Sequence, residues 1–313
     1  MPGETTEIPT AHVADDASTA ALAETLNDIH GRPYEFSIGR WSGRTVLQPD
    51  PVRTSYHIVI EAEDSTVAVG TGDLVRGPPP DLSTGQSDSR FARAIDSRTV
   101  DIRPGDVITL GPDDDPVELT GSGTRFEVLT ERTSYRAARF SFLRHVNDEA
   151  AGCAVYEGAF RREVLPPEPS DDEDDARGVN RINQHTIDMR HDREPRPVQH
   201  CHAPVTTGQG GRVNHTETAI VLDRSTYGLP PVEESEGHVR IFRRPHEDAS
   251  DRFDLPVEPG SIVVTPATTE RVYGHCFRNT FAILVAVPGF TAPLTEIGAD
   301  SDREGESHRK YHS

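Results

Sequence analysis

Two short stretches put side chains capable of holding a metal ion two residues apart: His200 and His202 in HCH, and His215 and Glu217 in NHTE. In an extended strand, residues i and i+2 project to the same face, so each pair presents its groups together, as two ligands of one ion must. A glycine-rich loop, TTGQGGR (206–212), separates the pairs, and the apolar run TAIVLD (218–223) follows the second. Adjacent antiparallel strands carrying these pairs inward would gather two or three imidazoles and one carboxylate around a point. That mixed nitrogen and oxygen set suits one divalent transition metal, Zn, Mn, Fe, Co or Ni. The alternative is a polar patch in an acidic protein.

The elements that must position these groups read as strands. TSYHIVIEAE (54–63), STVAVGTGD (65–73), DVITL (106–110), TRFEVLTER (124–132), TAIVLD, HVRIFRR (238–244), SIVVTP (261–266) and FAILVAV (281–287) are rich in Val, Ile, Thr and Phe, and Gly, Pro and Asp clusters separate them. This is the rhythm of an all-β sandwich or barrel. No βαβ alternation appears, which disfavours a parallel sheet. Helical composition is confined to STAALAETLNDIH (18–30), with Ser18 or Thr19 as its N-cap and Gly31 closing it.

Residues 1–17 and 300–313 are polar and aperiodic, and are expected to be disordered. Leu165–Asn180 holds three prolines and six acids and reads as an exposed linker or insertion. It divides the chain into two units, 18–164 and 181–299. The halves share a signature: RPGDVITLGP (103–112) and EPGSIVVTP (258–266) each open an apolar strand with a Pro-Gly turn and close it at a proline. Recurrence of that signature at the same place in both halves predicts a duplicated β-barrel.

Acidic residues outnumber basic ones 52 to 32, for a formal charge of -20, and Lys310 is the single lysine. Such a surface suits concentrated salt, where screening removes most self-repulsion, and points to a salt-accumulating cytoplasm. A field of this sign opposes nucleic acid and anionic lipid. Cys153, Cys201 and Cys276 are an odd count without CxxC spacing, as expected of reduced thiols in a cytoplasm. The N-terminal stretch lacks a basic segment followed by an apolar one, and no apolar run is long enough to span a bilayer, so a soluble, non-exported protein is expected.

The order His-x-His, then Glu before an apolar strand, then a Pro-Gly turn, a strand and a proline resembles the cupin superfamily. HTETAIVLD is similar to the glutamate-bearing part of its first motif, and PGSIVVTPATTERV to its second. The resemblance implies duplicated cupin barrels (double-stranded β-helix, or jelly-roll) with one short N-terminal helix, and metal ligands at His200, His202 and Glu217. The fourth ligand falls at Glu270, just before RV, with His275 in YGHCF, expected in a turn, as the alternative. The first half has no His-x-His, so its barrel is expected to bind no metal.

The element order also resembles the 5-deoxy-glucuronate and 5-keto-4-deoxyuronate isomerases. That likeness implies aldose–ketose interconversion, with the metal acidifying a C–H between carbonyl and hydroxyl. His215 would carry the proton, and Arg212, Arg240 and Arg271 would hold a uronate carboxylate; surface ion pairing is the other use for such arginines. The substrate would be a small anionic or polyhydroxylated molecule, and homo-oligomerisation stays open. An iron-dependent dioxygenase and a non-catalytic sugar-binding or regulatory cupin are the competing readings.

Overall fold

The computed structural model describes residues 8–69, 74–76, 93–95, 99–130, 139–141, 154–156, 159–165, 183–189, 200–201, 205–206, 210–223, 237–244, 248–268, 273–278, 280–288 and 295–296. Strand β1 (Thr10–His12) and helix α1 (Asp16–His30) lead into β2 (Tyr34–Ser42), β3 (Thr45–Leu47), β4 (Thr54–Val69), β5 (Leu74–Arg76), β6 (Arg93–Ile95), β7 (Thr99–Asp101), β8 (Val107–Leu110), β9 (Val117–Thr130) and β10 (Arg139–Ser141). There follow β11 (Ala154–Tyr156), β12 (Ala159–Leu165), β13 (Asn183–Met189), β14 (His200–Cys201), β15 (Val205–Thr206), β16 (Arg212–Val213) and β17 (His215–Val221). The last are β18 (Gly237–Arg244), β19 (Asp248–Val257), β20 (Ser261–Ala267), β21 (Gly274–Arg278), β22 (Phe281–Val287) and β23 (Thr295–Glu296).

In the second half, one sheet contains the order β13–β22–β17–β20 and a second contains β14–β21–β18–β19. Apart from the β18–β19 hairpin, strands of the two sheets therefore alternate along the chain and interleave within each, which is the jelly-roll order of two nested Greek keys. The first half repeats it with two long bent strands. β4 kinks at register shifts between Val59 and Glu61 and between Glu63 and Thr66, where Asp64 takes φ 45. β9 turns beside it at Gly121 and Gly123; a Cβ on Gly123 would collide with the Glu61 carbonyl oxygen. Each bent strand thus serves both sheets, giving β2–β9–β4–β8 on one side and β3–β9–β4–β7 on the other.

The repeated Pro-Gly signature has one geometry. Gly105 and Gly260 take φ 87 and 91, a left-handed conformation that glycine adopts without a Cβ clash. Gly105 N–H donates to Val59 O and Gly260 N–H to Val221 O, while Asp106 Oδ2 and Ser261 Oγ accept from the backbone three residues earlier. The expected duplicated all-β architecture is therefore present, down to its turns.

The two barrels pack face to face. Tyr34, Phe36, Ile58 and Phe126 of the first barrel share one apolar cluster with Ile220, Val264, Phe281 and Ile283 of the second, and Leu22 and Leu26 of α1 join it. Strand alternation then turns the opposite faces of the same strands into the two barrel interiors.

Three expectations are corrected. Residues 10–12 are not disordered: β1 pairs with β20, Ala11 opposite Ile262, because its backbone groups find an open sheet edge. The helix begins at Asp16, and Asp15 rather than Ser18 or Thr19 caps it, its carboxylate accepting from Ala17 N–H at 3.0 Å. The acidic stretch does not separate the two barrels. Residues 166–182 lie outside the described residues, but the strands on either side, β12 and β13, pair with each other, Leu165 opposite Gln184. That stretch connects neighbours in the second barrel's sheet, so β11 and β12 belong there. The tail expected at 300–313 is likewise outside the described residues.

Candidate metal centre

The interior of the second barrel is divided. Val239, Ile241, Val263, Ala219, Ala282 and Leu284 fill one end. At the other, His215 and Glu217 project from the same face of β17, with relative exposures of 1% and 2%. Opposite Glu217 in the sheet stands Thr265 of β20. From the facing sheet comes His275 on β21, 1% exposed, whose Nε2 lies 3.7 Å from Glu217 Oε2 and whose Nδ1 lies 3.1 Å from Thr265 Oγ1. Phe277, two residues on, packs against its ring in a tilted arrangement, 4.9 Å between centroids.

His275 is therefore not in a turn. It pairs across β18 with Ile241 and across β14 with His200. His200 is thus at the register position facing His275, in the sheet across from Glu217. His215 Nδ1 lies 3.1 Å from the Pro288 carbonyl oxygen. A carbonyl only accepts, so Nδ1 carries the proton and Nε2 the lone pair. Behind β17, Thr216 faces the seam, where its Oγ1 lies 2.9 Å from His30 Nε2, and Asn214 Nδ2 donates to Ile29 O. The end of α1 thereby grips the strand that bears both inward groups.

The remaining sequence candidates separate. Arg212 is exposed, three residues before His215. Arg240 alternates with the inward Val239 and Ile241, so it points out of the barrel, and its Nε donates to Asp254 Oδ1 at 2.5 Å. It is not brought to the site. His202, Glu270 and Arg271 lie outside the described residues. Among the described residues, no group of three or more His, Cys, Asp or Glu side chains is gathered as a metal-binding cluster. Thr265 and the Pro288 carbonyl went unnoticed in the sequence. Only the register of β17 against β20 singles out Thr265.

The first barrel differs at the matching positions. Aligned through the Pro-Gly turn, Ser55 stands where Glu217 stands and Leu110 where Thr265 stands. Among the described residues, no helix is long and apolar enough to cross a membrane.

Strand order and site together define a class: a duplicated jelly-roll barrel with inward histidine and glutamate in its second unit. No protein-family model matches the chain, and no curated protein matches it. Similar solved structures include an iolb-like protein from Salmonella typhimurium LT2, at 12% identity over 84% of this chain and 87% of that one, TM-score 0.43. A cupin 2 conserved barrel domain protein from Leptotrichia buccalis matches at 7% identity over 91% and 90%, TM-score 0.39. The mannose 6-phosphate isomerase from Bacillus subtilis matches at 12% identity over 84% and 79%, TM-score 0.40.

Proposed function

We propose that the second barrel holds one divalent transition metal through His200, His202, Glu217 and His275, and that the protein is a metal-dependent aldose–ketose isomerase acting on a sugar or uronate in the cytoplasm. The observation that supports this most is the approach of the buried Glu217 carboxylate and His275 imidazole from facing sheets. A carboxylate and an imidazole nitrogen 3.7 Å apart can both reach one cation at ordinary bond lengths of about 2.0–2.2 Å. Thr265, beside His275 Nδ1, is placed to orient that ring so that Nε2 faces inward. His275 is favoured over Glu270 because it lies in the barrel wall beside Glu217. With Ser55 in the position matching Glu217, the first barrel has no counterpart of that carboxylate ligand there.

The metal, when bound, supplies Lewis-acid polarisation of a carbonyl oxygen. His215 is the proton carrier. With Nδ1–H held by Pro288 O, its Nε2 is free of a proton and able to take one from the hydroxyl-bearing carbon beside the carbonyl and return it to the carbonyl carbon, while the hydroxyl proton passes to the former carbonyl oxygen. Burial around His215 excludes water that would otherwise exchange that proton. Arg212, exposed three residues before His215, and Arg271 are the cations we assign to a substrate carboxylate.

Metal analysis of purified variants tests the ligand set. His275→Ala and Glu217→Gln should lose the metal and Glu270→Ala should retain it; wild-type metal content in His275→Ala would sink the proposed site. A uronate and sugar screen followed by NMR, run beside oxygen-uptake measurements on aromatic diols, tests the reaction. Isomerised product without oxygen uptake supports it, whereas oxygen uptake would replace it with dioxygenase chemistry.

A further inference from the structure

The first barrel carries charged groups where the second barrel is apolar. Alignment through the shared turn sets Ile108 against Val263, and the pairing then sets His57 against Ala219, Glu127 against Leu284 and Arg125 against Ala282. Ala219, Leu284 and Ala282 are buried in the second barrel. A jelly roll of this length thus closes around Ala, Leu and Ala, and the fold does not require His, Glu and Arg there.

Burying a cation and a carboxylate is costly unless their geometry is close, and here it is loose. Glu127 Oε2 lies 3.5 Å from Arg125 Nη2, 3.6 Å from His57 Nδ1 and 3.4 Å from Ser37 Oγ. His57 Nε2 is satisfied by Ser55 Oγ at 2.9 Å. Its Nδ1 and Arg125 Nε, both buried, have no hydrogen-bond partner. Gly39, across from Arg125, leaves space for the guanidinium, which would be 3.7 Å from a Cβ there. The same face of β2 continues to Ser37 and Glu35, both exposed, so the cluster opens to solvent along that face. Arg53 at this opening is already held by Asp50 and Glu35, leaving Arg125 as the cation with spare donors. Burial, and secondarily Arg125, lowers the His57 pKa to about 3, so the ring is neutral and exchanges hydrogen bonds rather than charge.

We propose that the mouth of the first barrel, formed by Arg125, His57, Glu127 and Ser37, binds a small hydroxy acid, its carboxylate on Arg125 and its hydroxyl between His57 and Glu127. A planar guanidinium matches a carboxylate in two parallel hydrogen bonds. A hydroxyl is both donor and acceptor and suits a neutral imidazole facing a carboxylate. This site is independent of the metal proposed in the second barrel.

The full chain tests it, by thermal unfolding and calorimetry with glycerate and lactate against their uncharged counterparts glycerol and propane-1,2-diol. The acids should raise Tm by about 2–4 °C near saturation, and the neutral compounds should not. Arg125→Met should abolish the response, Arg125→Lys should weaken binding roughly tenfold through loss of the fork, and Glu217→Gln, in the other barrel, should leave it intact. His57→Ala/Arg125→Ala/Glu127→Leu, which copies the second barrel, should melt at or above the wild-type temperature without responding to acids. An equal response to acid and neutral compound, no response to either acid, or a response retained in Arg125→Met and Arg125→Lys alike would overturn the proposal. A triple variant that melts well below wild type would also overturn it, by making the cluster structural.

Discussion

Thr265 is the residue on which the geometry of the proposed metal centre turns. Its hydroxyl meets His275 Nδ1, and Glu217 stands opposite it in the sheet. Thr265→Val keeps the side-chain volume and removes the hydroxyl; groups of this kind typically contribute 10–100-fold to metal affinity, so about that loss is expected in a competition titration with a chelator. Two further histidines set the acid response. Burial lowers the pKa of His30 and of His57 from 6.5 to about 3. Between those values the unfolded chain binds protons that the native protein does not. Their contribution is therefore fully present above pH 6.5 and lost as pH falls toward 3, at up to about 1.4 kcal/mol per pH unit for each. Urea unfolding at pH 7 and pH 5 should show this slope, and His57→Gln should flatten it by roughly one proton; an unchanged slope would exclude His57 as a source.

Strand β1 and the turn at Gly260 form one structural element despite being far apart in sequence. Val13 N–H donates to Gly260 O, and a Cβ on Gly260 would lie 2.7 Å from Val13 Cγ2. Gly260→Ala meets both a left-handed φ, costing about 1–2 kcal/mol, and a clash that pushes β1 off the edge of β20. Gly43 also has positive φ but nothing within 4 Å of its Cβ position, so Gly43→Ala should bear the backbone cost alone. Thermal melts of the two variants should differ, with Gly260→Ala the lower; hydrogen exchange at Ala11 and His12 should rise only in Gly260→Ala. Sequence patterning could not reveal β1, because three residues, TAH, show no periodicity. They become a strand because β20 offers unpaired backbone groups.

At the scale of the molecule, the seam between barrels joins the two folding units. Ile283, fully buried, packs in the cluster shared by both barrels and α1. Ile283→Ala should cost about 2–5 kcal/mol, and because the core is shared it should lower one cooperative transition. Calorimetry that resolved two transitions, only one of them shifted, would contradict a common core. The same seam passes behind β17 through His30 and Asn214, so loosening it should also reduce metal affinity.

Much of this architecture was legible in the chain. Apolar strands between Gly, Pro and Asp clusters announced an all-β fold, and the repeated Pro-Gly turn announced duplication, because a two-residue strand period and a left-handed turn are local constraints that leave local signatures. Glu217 and His215 could be placed on one strand face by the same period. Tertiary structure alone decided which residue from the other sheet meets them. His275 follows Gly274 in a short segment that reads as a turn, yet pairing with β18 and β14 makes it strand, since hydrogen bonds to neighbouring strands outweigh local propensity. The charged interior of the first barrel was equally hidden: His57, Arg125 and Glu127 are 68 to 70 residues apart in pairs across β4 and β9, and only the register that sets His57 opposite Glu127 brings them together.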